Sequence, residues 1–189
     1  MAFDFISLAG VCIVGGAGLL LLLYVVMTYN RLVALRNRVE NAWAQIDVQL
    51  KRRYDLIPNL IETVKGYMKH EKETFENITK YRAQIVTGGV EDRAKANNML
   101  SQTLKSLFAV AENYPNLKAN ETFLQLQGRI SGIENELADR REFYNDSVNT
   151  YNIRIQSIPD RFVAGALGYT PEELFKAAEA ERRDVEVKF

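Results

Sequence analysis

The chain has 189 residues, a formal net charge of zero and 47% hydrophobic residues. A net charge of zero provides no general attraction to nucleic acid, and the single cysteine, Cys12, excludes a disulfide within the chain. Four prolines and eleven glycines are few for a β-sandwich with many turns, so the composition favours a helical protein.

The first predicted element is a transmembrane helix over residues 5–27. This stretch carries no charged side chain, and at 1.5 Å per residue it is about 34 Å long, enough to cross a hydrocarbon core of about 30 Å. Only the short flank 1–4 precedes it, without the basic residues that begin a signal peptide. We therefore expect a retained, single-pass membrane anchor in contact with the lipid bilayer.

The charges beside this helix predict its orientation. Arg31, Arg36 and Arg38 follow it, whereas Asp4 is the charged residue that precedes it. Because positively charged flanks tend to remain in the cytoplasm, we expect the N-terminus outside and the helical domain inside the cell. The three arginines also form a juxtamembrane basic group suited to anionic lipid headgroups.

Small residues on one face of the transmembrane helix predict close packing against another helix. Ala9, Cys12 and Gly16 recur at spacings of three and four residues, and small side chains let membrane helices approach closely. The alternative is that such residues are simply common in membrane helices.

A helical bundle domain is predicted over residues 28–183, followed by a tail at 184–189. Apolar residues recur in the domain every three or four positions, as in helices with one buried face. Gly88 and Gly89 indicate a break, and Pro58 is expected either to kink or to break the first helix. The predicted helices cover about 28–86, 91–112, 120–158 and 171–183.

The third of these helices has the most regular pattern. Asn120 is its predicted N-cap, and Pro159 ends it. Its alternating steps of three and four residues predict coiled-coil-like, antiparallel packing on the first helix. The predicted buried stripe comprises Phe123, Leu126, Ile130, Ile133, Leu137, Arg141, Tyr144, Val148, Tyr151, Ile155 and Ile158.

The residues required for catalysis or metal binding are scarce. His70 is the single histidine, its neighbours Glu71 and Glu73 belong to a charged helix face, and Cys12 lies in the predicted membrane segment. A zinc site needs three or four ligands, and a nucleophile needs an adjacent base. We therefore predict no enzyme activity, no catalytic residue, no metal, no cofactor and no small-molecule substrate. A hydrolase would have to use His70.

Polar residues around Trp43 form a candidate interaction surface on the first helix. Tryptophan and arginine are frequent anchors of protein interfaces, whereas charge pairs on an exposed helix are worth only about 0.2–0.5 kcal/mol each. The alternative is therefore a solvated helix face. The candidate residues are Glu40, Trp43, Asp47, Arg52, Arg53, Asp55 and Asn59.

Several motifs in order resemble the LemA family over almost the whole chain. The densest stretch is 38–60, and further motifs follow at 114–120, 144–145 and 151–152. Within it stand Glu40-Asn41-Ala42-Trp43-Ala44-Gln45 and Asp55-Leu56-Ile57-Pro58-Asn59-Leu60. The resemblance implies an all-α, single-pass protein of the bacterial cytoplasmic membrane, with an elongated antiparallel bundle of long helices. It supplies no catalytic residues, and Ile158 departs from the phenylalanine expected before Pro159.

Two functional hypotheses follow. The first is a membrane-anchored helical scaffold or interaction protein that forms a homo-oligomer. The second is an accessory or regulatory subunit of a membrane protease or sensor complex, with a membrane-protein partner held at the surface around Trp43. Nucleic acid is not expected as a partner, because acidic and basic residues are interspersed.

Overall fold

The computed structural model describes residues 2–68, 71–87 and 89–175, with side chains for 10–68, 71–85 and 89–175. Within those ranges it contains six α-helices and no strand, which confirms the predicted all-α class. The helices are α1 (Ala2–Lys65), α2 (Lys72–Thr87), α3 (Val90–Ala111), α4 (Pro115–Lys118), α5 (Glu121–Gln156) and α6 (Asp160–Ala166).

The uncharged run lies in α1, which continues beyond it without interruption to Lys65. The most apolar window of α1 has a mean hydropathy of 2.4, and none of that window is buried. Side chains from Gly10 to Leu23 are exposed. By length and composition, α1 can cross a membrane, and exposed apolar side chains are what lipid contact requires.

The helix predicted over residues 28–86 is wrong as a single element. It ends at Lys65, and the chain turns at Gly66 before α2 begins at Lys72. Pro58 lies inside α1 and does not break it. The periodic pattern missed the turn because Met68, within it, is itself fully buried and continues the apolar stripe from α1 into α2.

The chain forms two compact units. Unit 1 comprises Met1–Glu40 and Ser147–Glu172, and unit 2 comprises Asn41–Asp146 and Glu173–Phe189. Among the described residues of unit 1, α1 and the end of α5 contribute buried side chains, together with Asp160 and Ala164 of α6. The buried side chains of unit 1 are Thr28, Leu32, Val39, Ser147, Val148, Tyr151, Ile155, Asp160 and Ala164.

In unit 2, the helices α1, α2, α3 and α5 alternate in direction, as in an up-and-down bundle. Trp43 contacts Tyr144 while Arg53, ten residues later on α1, contacts Glu134, so α1 and α5 are antiparallel. Helices α2 and α3 pack against each other across the short turn at Gly89. The core contains Ile46, Leu50, Ile57, Leu60, Val64, Ile78, Leu100, Leu104, Leu107, Ile130 and Leu137.

The pattern of α5 places most of its predicted stripe in the interior, with Asn120 capping the helix. The Phe123 amide donates to Asn120 Oδ1 at 3.0 Å, and α5 extends over Glu121–Gln156. Ile158 is the correction, because it lies beyond the end of α5 and is 75% exposed. Because Ile158 is not part of α5, the spacing of apolar residues along that helix does not determine the direction of its side chain.

Three short segments differ from their predicted structure. Helix α4 lies between the predicted helices 91–112 and 120–158, and α6 lies between the predicted helices 120–158 and 171–183. Residues 171–175 of the predicted helix 171–183 are not helical. The backbone amides of Glu172 and Phe175 instead donate to asparagine side chains of α5. Residues 176–183 and the tail 184–189 lie outside the described residues.

Candidate interaction sites

The candidate residues around Trp43 lie on different faces of α1, so some are exposed and others are buried. A helix turns by about 100° per residue, so Arg52 and Arg53 face different directions. Arg52, Asp55 and Asn59 are exposed, whereas Arg53 is fully buried and Trp43 is half-buried. The predicted residues therefore do not form one surface.

Arg53 is the centre of a buried polar network in unit 2. One guanidinium nitrogen donates to Ser101 Oγ at 2.9 Å and to the Glu134 carboxylate, and another donates to Asn97 Oδ1. Ser101 Oγ donates in turn to Glu134 Oε2 at 2.7 Å. Burial lowers the pKa of Arg53 and the neighbouring Glu134 carboxylate raises it, while a guanidinium remains protonated in proteins. The network links α1, α3 and α5.

The prediction of Arg53 as an exposed interface anchor is therefore wrong, because its charge is satisfied inside the bundle. Asn97, Ser101 and Glu134 were not singled out from the sequence. A signal for Asn97 was present: it precedes Leu100 by three residues and Leu104 by seven, so it occupies a position in the apolar stripe of α3. A polar residue in such a stripe indicates a buried hydrogen-bonding partner.

Trp43 is an internal anchor of unit 2. Its ring lies 5.5 Å from that of Tyr144 and 6.2 Å from that of Phe175 between centroids. The Arg93 guanidinium lies 5.2 Å from the Trp43 ring and is paired with Asp47. Aromatic pairs and cation–π contacts at such distances stabilise a fold, so Trp43 and Asp47 act within the unit.

The charged residues Arg52 and Asp55 of the predicted surface are exposed to solvent. Lys51 Nζ donates to Asp55 Oδ1 at 2.5 Å, and Arg52 Nη1 lies 3.9 Å from Glu136 Oε2. Pairs of this kind contribute about 0–1 kcal/mol, which leaves Arg52 and Asp55 able to exchange partners at little cost. Lys51 also lines an open cleft of about 360 Å³, together with Asp47, Leu50, Tyr54, Ile85 and Arg93.

Two Tyr-Asn pairs of α5 hold the non-helical backbone of residues 170–175 by the same geometry. In unit 1, Asn152 Nδ2 donates to Glu172 O at 2.9 Å, and its Oδ1 accepts from Glu172 N at 2.9 Å. The Tyr151 hydroxyl donates to Thr170 O at 2.9 Å. Burial raises the pKa of Tyr151, as does the nearby Glu172 carboxylate.

The same arrangement recurs in unit 2, seven residues earlier on α5. Asn145 Nδ2 donates to Phe175 O at 3.0 Å, its Oδ1 accepts from Phe175 N at 2.8 Å, and the Tyr144 hydroxyl donates to Glu173 O at 2.9 Å. Each asparagine satisfies both backbone groups of one residue, which accounts for the Tyr-Asn motif at 144–145 and 151–152. The seven-residue repeat was visible in the sequence, but its binding role was not.

The predicted basic and small residues of unit 1 are exposed where their side chains are described. Arg31, Arg36 and Arg38 lie on the solvent-facing side of α1, and Arg36 Nε donates to Glu40 Oε1 at 3.2 Å. Glu40 therefore acts with Arg36. Cys12 and Gly16 are exposed, and the side chain of Ala9 lies outside the described residues.

Within the ranges that the structure describes, no group of three or more potential metal ligands comes together. His70, the residue that a hydrolase would need, lies outside the described residues.

The chain is similar to known proteins over most of its length. A family model described as "LemA family" matches residues 42–189. Protein LemA from Metamycoplasma hominis is 29% identical, covering 83% of this chain and 73% of that protein. Magnetosome protein MamQ 2 from Paramagnetospirillum magneticum is 24% identical and MamQ from Magnetospirillum gryphiswaldense 23%; each match covers 79% of this chain. The chain spans 65% of each of these two proteins, just under two thirds.

Proposed function

The chain belongs to the LemA family, and on that premise we propose that it is a non-enzymatic, membrane-anchored scaffold that associates with further copies of itself. It is a membrane-associated helical protein. Its proposed location is the bacterial cytoplasmic membrane, with the N-terminus outside and the basic flank of Arg31, Arg36 and Arg38 in the cytoplasm.

The observation that carries the proposal is the open face of the membrane segment of α1. Cys12 and Gly16 lie four residues apart on that face and are exposed. A Cβ placed on Gly16 would meet no atom within 4 Å, so a second helix can approach the backbone there. Small residues favour such close approach between membrane helices.

Oxidative cross-linking of the native Cys12 tests this assembly without any substitution. The full chain is reconstituted into bilayers and treated with a mild oxidant, and its mass is measured with and without reductant. We expect a disulfide-linked dimer, because two copies that pack through this face bring their Cys12 thiols together. A native mass corresponding to one copy at every concentration, without a cross-linked species, contradicts self-association.

Two glycines provide a matched pair of variants. Gly16→Ile places a branched side chain on the proposed contact face, whereas Gly18→Ile adds the same side chain about 200° around the helix. Neither added Cβ meets an atom of the chain itself. We expect the first to lower cross-linking by about tenfold, and the second to leave it unchanged. Equal effects of the two variants would remove this face from the proposal.

The second candidate function is an accessory subunit of a membrane protease or sensor complex. The exposed residues Arg52, Asp55 and Asn59 favour it, because they share one face of α1 with Val48, which is 51% exposed. An exposed apolar residue flanked by charges is a common element of transient interfaces.

Affinity capture from native membranes tests that face. Arg52→Glu combined with Asn59→Lys should abolish recovery of a membrane-protein partner without changing helicity. Lys105→Glu, an exposed charge reversal on α3, is the control and should not affect recovery. Unchanged recovery with the double variant would exclude this face of α1.

A further inference from the structure

Helix α6 of unit 1 and the residues just before it carry exposed apolar side chains. Ile158 is 75% exposed and Phe162 is 70% exposed. In contrast, Asp160 and Ala164 are almost fully buried and lie four residues apart, on the inner face of the helix. Phe162 projects from the opposite side, because two residues turn a helix by about 200°. Phe162 of α6 and Ile158, just before the helix, thus both expose apolar side chains.

The contacts of Asp160 place α6 beside the end of the uncharged run of α1. The Tyr24 hydroxyl donates to Asp160 Oδ1, and Thr28 Oγ1 donates to the same oxygen at 3.4 Å. The uncharged run predicted to span the membrane ends at Met27, between these two donors. The first charged residue of α1 beyond it, Arg31, is about 10 Å further along the axis than Tyr24. Helix α6 therefore lies at the height where the apolar surface of α1 ends.

The charge of Asp160 is compatible with this position. Its carboxylate is paired with Arg154, and its side chain is 3% exposed. A carboxylate at the edge of a membrane is tolerated when it is paired and turned away from lipid. Arg161, next to it, is exposed and can reach lipid headgroups with its long side chain. The polar groups of α6 thus do not oppose contact between its outer face and a bilayer.

We propose that Ile158 and Phe162 insert into the interface of the bilayer, so that α6 is a second lipid contact beside the membrane helix. The exposed apolar surface of α1 continues onto α6 at the same height, and this continuity identifies the occupant as lipid. Interfacial segments bury their apolar face about 5–10 Å into the boundary between headgroups and acyl chains. The proposal depends on α1 crossing the membrane and is independent of self-association.

Spin labels on single cysteines test the insertion. The full chain, with Cys12→Ala, is placed one copy per nanodisc of phosphatidylcholine and phosphatidylglycerol. Phe162→Cys and Ile158→Cys are labelled separately, and the accessibility of each label to oxygen and to a water-soluble nickel complex is measured. Val26→Cys is the lipid reference, and Ala34→Cys is the water reference because it is exposed on α1 about 10 Å beyond Met27.

We expect the oxygen-to-nickel ratio at position 162 to resemble that at 26 and to exceed that at 34 by about fivefold. Circular dichroism of each variant checks that the helices persist. If Phe162→Cys loses helicity, the measurement at 158 decides. Ratios at the folded positions equal to that at 34 would overturn the proposal. An oxygen-to-nickel ratio equal to that at position 34 would also favour a second copy or another protein, rather than lipid, as the occupant of this face.

Discussion

Among the residues whose side chains the structure describes, each unit buries one charged side chain, and the two charges have opposite sign. Unit 2 buries the cation Arg53 and surrounds it with Glu134, Asn97 and Ser101 from two other helices. Unit 1 buries the anion Asp160, which is held by Arg154 and by the hydroxyls of Tyr24 and Thr28. Both charges connect α1 to a segment far away in sequence.

The difference lies in the access of the partner to water. Glu134, which neutralises Arg53, is 24% exposed, whereas Arg154, which neutralises Asp160, is 34% exposed. Removing one member of a buried pair costs most when the other member remains trapped away from water. The comparison therefore predicts that unit 2 depends on its buried charge more than unit 1 does.

The largest effect is expected from a buried charge that has no partners. Leu137→Asp introduces a carboxylate at a fully buried position of α5, where it lacks the donors that hold Asp160. Loss of the leucine packing together with the unpaired charge should destabilise unit 2 by about 4 kcal/mol or more. Thermal unfolding followed by circular dichroism measures this, with the exposed Ala138→Asp as control. Equal melting curves would show that Leu137 does not lie in the core.

The next largest effect is expected from Arg53→Met. The substitution leaves Glu134 and Asn97 without their cation, at a cost of about 3–5 kcal/mol. Arg52→Met, the exposed neighbour, should cost at most about 1 kcal/mol. Chemical unfolding of the two variants measures the difference. A double variant with Glu134→Leu should recover part of the loss, because an apolar pair of similar size replaces the ion pair; no recovery would contradict this account of the network.

A smaller effect is expected from Asp160→Ala in unit 1. Tyr24 and Thr28 lose their acceptor, but the partly exposed Arg154 can turn to water, so the expected cost is about 1–3 kcal/mol. Hydrogen exchange should show faster opening of α6, since Asp160 attaches it to α1. The control is Glu40→Ala, which removes an exposed carboxylate of the same unit. Similar losses for Asp160→Ala and Arg53→Met would break the comparison between the units.

The smallest effect is expected from the titration of Tyr151. Its pKa is raised in the folded protein by burial and by Glu172, so folding favours the neutral phenol. This contribution to stability is fully present below the ordinary tyrosine pKa near 10 and is lost as pH rises through the higher folded value. Unfolding curves between about pH 9 and 11 should fall less steeply for Tyr151→Phe than for the parent chain. Identical slopes would show that Tyr151 does not contribute.

The sequence alone was sufficient for the class of the molecule and for the family. The uncharged stretch 5–27 and the apolar stripes are local patterns with a direct physical meaning, lipid contact in one case and one buried helix face in the other. The resemblance to the LemA family is confirmed by the match over residues 42–189. The N-cap at Asn120 was also local, since an asparagine side chain satisfies an amide three residues away.

Periodicity could not decide where the first stripe turns or which polar residues enter the interior. The stripe continues through Met68 because both α1 and α2 face one core, so the end of α1 at Lys65 left no gap in the pattern. Arg53 was predicted to be exposed because arginine usually is. Its burial depends on Asn97, Ser101 and Glu134, which lie between 44 and 81 residues away in sequence.

The segment 171–175 illustrates the same limit. Thr170, Pro171 and Glu173 form a good local signal for the start of a helix, yet residues 171–175 are not helical. Asn145 and Asn152 bind that backbone through two hydrogen bonds each, and these replace the bonds that a helix would have supplied. Local propensity is worth tenths of a kcal/mol per residue, and therefore tertiary partners that satisfy the same backbone groups decide the outcome.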